Sequence, residues 1–134
     1  MTRVLSLAVV FGIAMSWTAS PAFAIKPFND QFKATYSKNN ENKEFVKLME
    51  EAKCNLCHIE GAKKEKRNEF GEAVATLLKK KEFDAERLKK EPEKCKEEME
   101  KAFKKAEEMK AKDGMTFGEK IKAGKLPGGD VKGK

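Results

Sequence analysis

The chain has 134 residues, with 29 basic against 22 acidic side chains, one histidine and three cysteines. This length suits a single domain. The net charge of +7 is interleaved with many acids, so a nucleic-acid groove is not indicated. Beyond the N-terminal segment no stretch is apolar enough to span a bilayer, and we expect no stable membrane insertion.

The N-terminal segment predicts export. A basic start at Arg3 precedes an apolar run over residues 4–17, and Ala-Phe-Ala at 22–24 is typical of a signal cleavage site. We therefore predict a signal peptide over residues 1–24, with an uncleaved N-terminal anchor as the alternative. The mature protein is expected in the periplasm or otherwise outside the cytoplasm. It would consist of one domain over residues 25–127 and a flexible basic tail over 128–134.

Apolar residues in the rest of the chain recur at helical spacing, and no segment alternates as a strand does. A first helix is expected from about Asn29 or Asp30. A second is expected over residues 41–52, leading directly into a pair of cysteines. A third should follow the N-cap Asn68 and be closed by the lysines at 79–81.

Three further helical segments complete the predicted all-α fold. Asp84 is expected to cap a short turn through Leu88, and Pro92 to open the longest helix, to about Lys112. Thr116 begins a capping box for a last short helix. Seven hydrophobic side chains are expected to face the functional site: Phe45, Leu48, Met49, Phe70, Val74, Leu77 and Phe103.

The sequence Cys-Asn-Leu-Cys-His at 54–58 carries the clearest chemistry. Two thiols separated by two residues can reach the two vinyl groups of one porphyrin, and the histidine that follows falls under the iron. Cys54 and Cys57 are therefore predicted to form thioethers to one haem c. His58, the only histidine, would be the proximal iron ligand. Two thioethers also account for the odd cysteine count, because they leave only Cys95.

With this motif near the start of the mature domain, directly preceded by a helix and followed by a loop and several later helices, the chain resembles the small exported monohaem c-type cytochromes. The resemblance implies an all-α domain around one covalent haem, an electron carrier rather than an enzyme, and a methionine in a late loop as distal ligand. Met115, in the turn before the last helix, matches that position. The chain departs from the family at Glu50, where an aromatic residue is usual, and lacks a proline in the loop after the motif. The other mature methionines are better explained as core: Met49, Met99 and Met109.

Other interpretations remain open. An unfilled sixth iron position would make the protein a pentacoordinate haem sensor or a weak peroxidase. A haem-free exported interaction protein would carry a Cys54–Cys57 disulfide, and a thioredoxin-like pair would need a strand before the motif. Cys95 is expected to be a buried inert thiol, with thiolate ligation or a dimer-forming disulfide as alternatives. A zinc site has the right ligand count, from Cys54, Cys57, Cys95 and His58, although adjacent side chains rarely converge on one ion.

The basic run after the motif predicts where partner proteins dock. Electron carriers often use a basic surface beside the haem to steer toward acidic partners. Ordinary solvated surface is the alternative for this run and for the lysines at 79–81 and 120–125. We expect a monomer that shuttles single electrons between redox partners. The docking residues would be Lys63, Lys64, Lys66 and Arg67.

Overall fold

The computed structural model describes residues 26–38, 40–63 and 65–130. The predicted signal peptide, residues 1–24, and the end of the predicted tail, residues 131–134, lie outside the described residues, so both stay predictions. The regular structure of the described residues is helical, without a β-strand, which confirms the all-α fold. None of the helices described is long and apolar enough to cross a membrane.

Six α-helices and two short 3₁₀ turns follow one another along the described residues. In chain order they are α1 (Lys26–Ser37), α2 (Lys43–Ala52), a 3₁₀ turn (Lys53–Leu56), α3 (Glu69–Leu77), a second 3₁₀ turn (Lys80–Glu82), α4 (Ala85–Lys90), α5 (Pro92–Glu107) and α6 (Phe117–Lys122).

Side-chain caps determine where four of these helices begin. Asn42, Asn68 and Asp84 each accept a hydrogen bond from the backbone N–H three residues on, at the starts of α2, α3 and α4. Thr116 does the same for α6, and the Glu119 side chain returns a bond to the Thr116 backbone N–H. The predicted caps of α3, α4 and α6 are therefore confirmed, including the capping box.

The predicted start of α1 and the predicted end of α3 were wrong. Helix α1 begins at Lys26 rather than near Asn29 or Asp30, because Pro27 lies in the first turn, where its missing N–H would have no helical partner. Helix α3 ends at Leu77, before the lysines at 79–81. The chain leaves the helix there with Leu78 in an extended conformation, which buries that side chain in the core.

Helix α5 is shorter than predicted. It ends at Glu107 instead of about Lys112, and the chain then turns back so that Lys110 pairs with Thr116 in an isolated β-bridge. Gly114 lies in this turn with φ of +88°, a conformation that suits glycine. Met109 consequently lies outside the helical stripe and is 38% exposed, so its prediction as a core residue was wrong.

Helix α5 is the centre of the packing, in contact with α1, α3, α4 and α6. Phe32 of α1 lies edge-on to Phe70 of α3 and to Phe103 of α5, with ring centroids 5.3 and 5.4 Å apart. Six of the seven side chains predicted to face the site lie in this core or pack against it. Leu48 is 36% exposed, at the edge of the apolar stripe of α2, so its place at the functional site stays a prediction.

The C-terminal segment crosses the starts of two helices. A Cβ added to Gly124 would lie 2.4 Å from Nδ2 of Asn42, and one added to Gly128 would lie 2.2 Å from Nδ2 of Asn68. The segment therefore covers the N-caps of α2 and α3, the helices on either side of the motif. Gly128, which opens the predicted tail, belongs to this packed surface. Two buried side chains anchor the segment: Leu126 and Pro127.

Candidate functional site

The motif at 54–58 forms a closed turn at the end of α2. A 3₁₀ turn continues directly from the helix, and the backbone N–H groups of Cys57 and His58 both donate to the carbonyl of Cys54, at 3.3 and 3.1 Å. Lys53 enters the turn with φ of +48°, a left-handed conformation that costs free energy in a residue with a Cβ. The turn groups the three side chains that the sequence predicts as haem-binding.

The two cysteines of the turn differ in exposure. Cys54 is exposed, whereas Cys57 is half-buried and packs against the core. Burial raises the pKa of the Cys57 thiol to about 12, and nearby Arg67 only partly opposes this effect. The Cys57 thiol is therefore protonated near neutral pH and is a poor nucleophile. Both residues are free thiols in the structure.

The imidazole of His58 contacts the backbone at the end of the loop that follows it. Nδ1 lies 3.3 Å from the carbonyl oxygen of Lys66, and the N–H of Ile59 donates to the same carbonyl at 3.3 Å. His58 also pairs with Arg67 in an isolated antiparallel bridge. Because a carbonyl can only accept, a hydrogen bond here places a proton on Nδ1, and in the neutral imidazole Nε2 is then the nitrogen that carries the lone pair.

Asn68 and Gly71 of α3 contact the turn directly. The Asn68 side chain and backbone donate to carbonyl oxygens of the motif, and a Cβ added to Gly71 would lie only 2.0 Å from the carbonyl oxygen of Cys57. The sequence analysis identified Asn68 as a cap but missed its contacts to the motif. A signal was present: among the usual N-cap residues, only asparagine has amide donors as well as an acceptor. A glycine inside the first turn of a helix was a second signal, because glycine disfavours helix.

The predicted distal ligand, Met115, lies in the turn between α5 and α6. It is half-buried, and its carbonyl accepts from the N–H of Ala111 at 2.8 Å. The turn is joined to α3 by Lys112, whose N–H donates to Oε2 of Glu69 at 3.0 Å. The Met115 turn is thus tied to the residue that follows Asn68, although Met115 itself lies on a different element from the motif.

Cys95 lies on α5, and its predicted burial is confirmed. Its Sγ is 3.9 Å from the carbonyl oxygen of Arg87 on α4. Cys95 is therefore on a different element from the motif cysteines, with which a zinc site would have to combine it. Among the residues that the structure describes, no three histidine, cysteine, aspartate or glutamate side chains are grouped as metal ligands would be.

The loop between the motif and α3 is basic and exposed. Lys63, Lys66 and Arg67 are exposed, and Arg67 forms a long ion pair of 4.0 Å with Glu72. Ile59, which follows the histidine, is 47% exposed. Lys64, the fourth predicted docking residue, lies outside the described residues, so its role stays a prediction.

Comparisons of the chain with protein-family models, with curated proteins and with solved structures find no match. The functional argument therefore rests on the chemistry and geometry of this turn. Its components are two thiols, an imidazole whose Nδ1 contacts a backbone carbonyl, and a helix start that binds the backbone carbonyls of residues 55–57.

Proposed function

We propose that this chain is an exported monohaem c-type cytochrome that transfers single electrons between redox partner proteins. Cys54 and Cys57 would hold haem c by thioethers, and His58 would bind its iron. The observation that carries the proposal is the contact between Nδ1 of His58 and the carbonyl of Lys66 at 3.3 Å. Metal-binding histidines commonly donate their second ring N–H to such a group, which fixes the tautomer and the ring orientation.

The residues of the turn fit a haem in donor chemistry and in surroundings. Two thiols and the imidazole stand at the required spacing, in one closed turn. Cys57 packs against the hydrophobic core, which would supply an apolar environment on that side. A bound haem would contribute an iron that changes oxidation state by one electron. The role of the chain is then to orient the iron ligands and keep them rigid.

For the second iron position we propose Met115. Its turn is tied to the start of α3, and Met115 is half-buried, whereas Met49 and Met99 are committed to the core at 0% and 3% exposure. A thioether ligand would saturate the iron and raise its reduction potential, which would favour electron transfer. If no side chain filled this position, the protein would instead be a pentacoordinate haem sensor or a weak peroxidase.

We propose that partners dock on the exposed loop after His58. Lys63, Lys66 and Arg67 follow His58 in the sequence and are exposed, and Ile59 adds an exposed apolar side chain. A basic surface that also exposes an apolar side chain suits a partner that presents an acidic patch. Lys64 would belong to the same surface.

Intact mass of the exported, purified chain tests haem attachment. One covalent haem adds a fixed increment and consumes two of the three thiols. The double variant Cys54→Ser, Cys57→Ser should lose the increment, whereas Cys95→Ser should keep it, because Cys95 lies outside the motif. A wild-type chain that lacked the increment and carried a Cys54–Cys57 disulfide would overturn the proposal and favour a haem-free interaction protein.

Absorption spectra and carbon monoxide binding test the second ligand. The ferric wild type should show the weak band near the red edge that is typical of methionine ligation, and the reduced protein should bind carbon monoxide poorly. Met115→Ala should lose the band and bind carbon monoxide readily. Met109→Ala is the matched control, because Met109 precedes the same turn and is 38% exposed. Ready carbon monoxide binding by the wild type would contradict the carrier function.

A further inference from the structure

Three consecutive carbonyls of the motif turn accept hydrogen bonds from one residue. Nδ2 of Asn68 donates to the carbonyl oxygens of Asn55 and Leu56, at 3.2 and 3.0 Å. Its backbone N–H donates to the carbonyl oxygen of Cys57 at 3.0 Å. The carbonyl of Cys54 is satisfied within the turn. The four carbonyls that precede the histidine therefore all have donors, three of them on Asn68.

The same side chain is held firmly to α3. Oδ1 of Asn68 accepts from the N–H of Gly71 at 2.8 Å, which orients the amide so that its NH₂ group faces the motif. Gly71 permits the close approach, because any Cβ there would collide with the Cys57 carbonyl. Gly128 lies against the same Asn68 amide. The amide is thus enclosed, and the motif turn cannot shift relative to α3 without losing several hydrogen bonds.

These contacts lie next to His58 in the sequence and in the loop that follows it. His58 follows Cys57 directly, and its Nδ1 is held by Lys66, two residues before Asn68. The chain from Cys57 to Asn68 is therefore a closed loop, joined at its ends by the Asn68 N–H and the Cys57 carbonyl. A displacement of that junction would move both the thiol of Cys57 and the ring of His58.

We propose that Asn68 is the positioning residue of the haem-binding turn, in addition to its role as the cap of α3. This proposal rests on the proposed function. Asn68 is not one of the residues proposed to bind the iron; it would orient Cys57 and the adjacent His58 through its hydrogen bonds to the backbone carbonyls of residues 55–57. Residues that orient metal ligands in this way typically change metal affinity by about 10-fold to 100-fold when they are replaced.

Asn68→Asp separates positioning from capping. Aspartate keeps the acceptor for the Gly71 N–H and caps a helix about as well as asparagine, but it lacks the amide donors. Asn68→Ser keeps an uncharged cap oxygen and shows whether the added negative charge matters. The matched control is Asn42→Asp, the same replacement at the N-cap of α2, where the side chain accepts from the N–H of Phe45 at 3.0 Å.

The main measurement is the acid midpoint at which the haem-loaded protein loses the spectrum of histidine ligation, together with its reduction potential. In both Asn68 variants, protons should displace His58 from the iron at a concentration about 10-fold lower than in the wild type, which moves the midpoint up by about one pH unit. Their potentials should also shift. Asn42→Asp should match the wild type in both. If Asn68 were only a cap, Asn68→Asp and Asn42→Asp would have the same midpoint and the same potential.

A second measurement uses the haem-free full chain, in case the variants fail to acquire haem. The Cys57 thiol should be alkylated faster in both Asn68 variants than in the wild type and in Asn42→Asp, because the turn is released. If midpoint, potential and alkylation rate all stay at the wild-type values, Asn68 is only a cap and the proposal fails. If the wild type carries no haem but the alkylation rates differ as expected, the proposed function fails, whereas the restraint of the motif turn by Asn68 is established.

Discussion

The starts of α3 and α6 share the sequence Phe-Gly-Glu, at 70–72 and 117–119. Their N-caps nevertheless form different hydrogen bonds. At α6 the capping bonds stay within the helix start, because Thr116 and Glu119 bond to each other's backbone N–H groups. At α3 the capping residue also bonds to a second segment: Asn68 accepts from its own helix and donates to the motif turn. The comparison teaches that a cap with spare donors can join a helix to a second segment, whereas a capping box serves its own helix.

Replacement of the glycine should give the largest difference in stability between the two Phe-Gly-Glu sequences. A Cβ on Gly71 would lie 2.0 Å from a backbone oxygen of the motif, whereas one on Gly118 would lie 3.1 Å from Glu107. We expect Gly71→Ala to lower the free energy of unfolding by about 3 kcal/mol, because the turn must move. Gly118→Ala should change it by less than about 1 kcal/mol, since the gain in helix propensity offsets the tight contact. Urea unfolding of the two variants measures the difference, and equal losses would contradict the comparison.

Removal of the two caps should give the next largest difference. Asn68→Ala removes the cap and also the two side-chain donors to the Asn55 and Leu56 carbonyls, so we expect a loss of about 2 to 3 kcal/mol. Thr116→Ala removes a cap only and should cost about 1 kcal/mol. Urea unfolding again gives both values. A loss at Asn68 no greater than at Thr116 would show that the contacts to the motif add nothing to stability.

Two residues with positive φ, one before the motif turn and one before α6, should respond oppositely to substitution. Lys53 precedes the motif with φ of +48°, whereas Gly114 serves the turn before α6 with φ of +88°. Lys53→Gly should raise the free energy of unfolding by about 1 kcal/mol, because glycine adopts this conformation without strain. Gly114→Ala should lower it by about the same amount. Thermal unfolding scans suffice for both, and a destabilised Lys53→Gly would show that no strain is stored there.

The smallest expected effect is a pH dependence at α6. Hydrogen bonds from Thr116 hold the pKa of the Glu119 carboxyl below its ordinary value of 4.5. A lowered pKa in the folded state means that the ionised carboxylate stabilises the fold above pH 4.5, and that this contribution disappears as the pH falls through the lower folded value. Glu119→Gln keeps the acceptor oxygen and removes the charge. It should be slightly less stable than the wild type at pH 7 and indistinguishable from it once the carboxyl is protonated; a difference that persists there would rule out the charge as the cause.

Local signals in the sequence predicted much of the fold. The caps Asn68, Asp84 and Thr116 were predicted because short polar side chains reach the free N–H groups of a first turn whatever surrounds them. The end of α5 was not predicted, because the charged residues after Glu107 continue a helical pattern. The turn there depends on Gly114 and on pairing with a later segment.

The motif itself is a property of the sequence, because the spacing of two cysteines and a histidine is covalent. The sequence alone therefore determined the helical class and the residues proposed to bind haem. Only the tertiary structure decided which groups hold them: the carbonyl of Lys66 at the His58 ring, and Asn68 at the motif carbonyls. It also brought the C-terminal Gly128 against that same asparagine. These contacts join residues that lie 8 to 60 positions apart in the sequence, and they depend on how the motif turn, the start of α3 and the C-terminal segment pack together, which no local preference of the chain specifies.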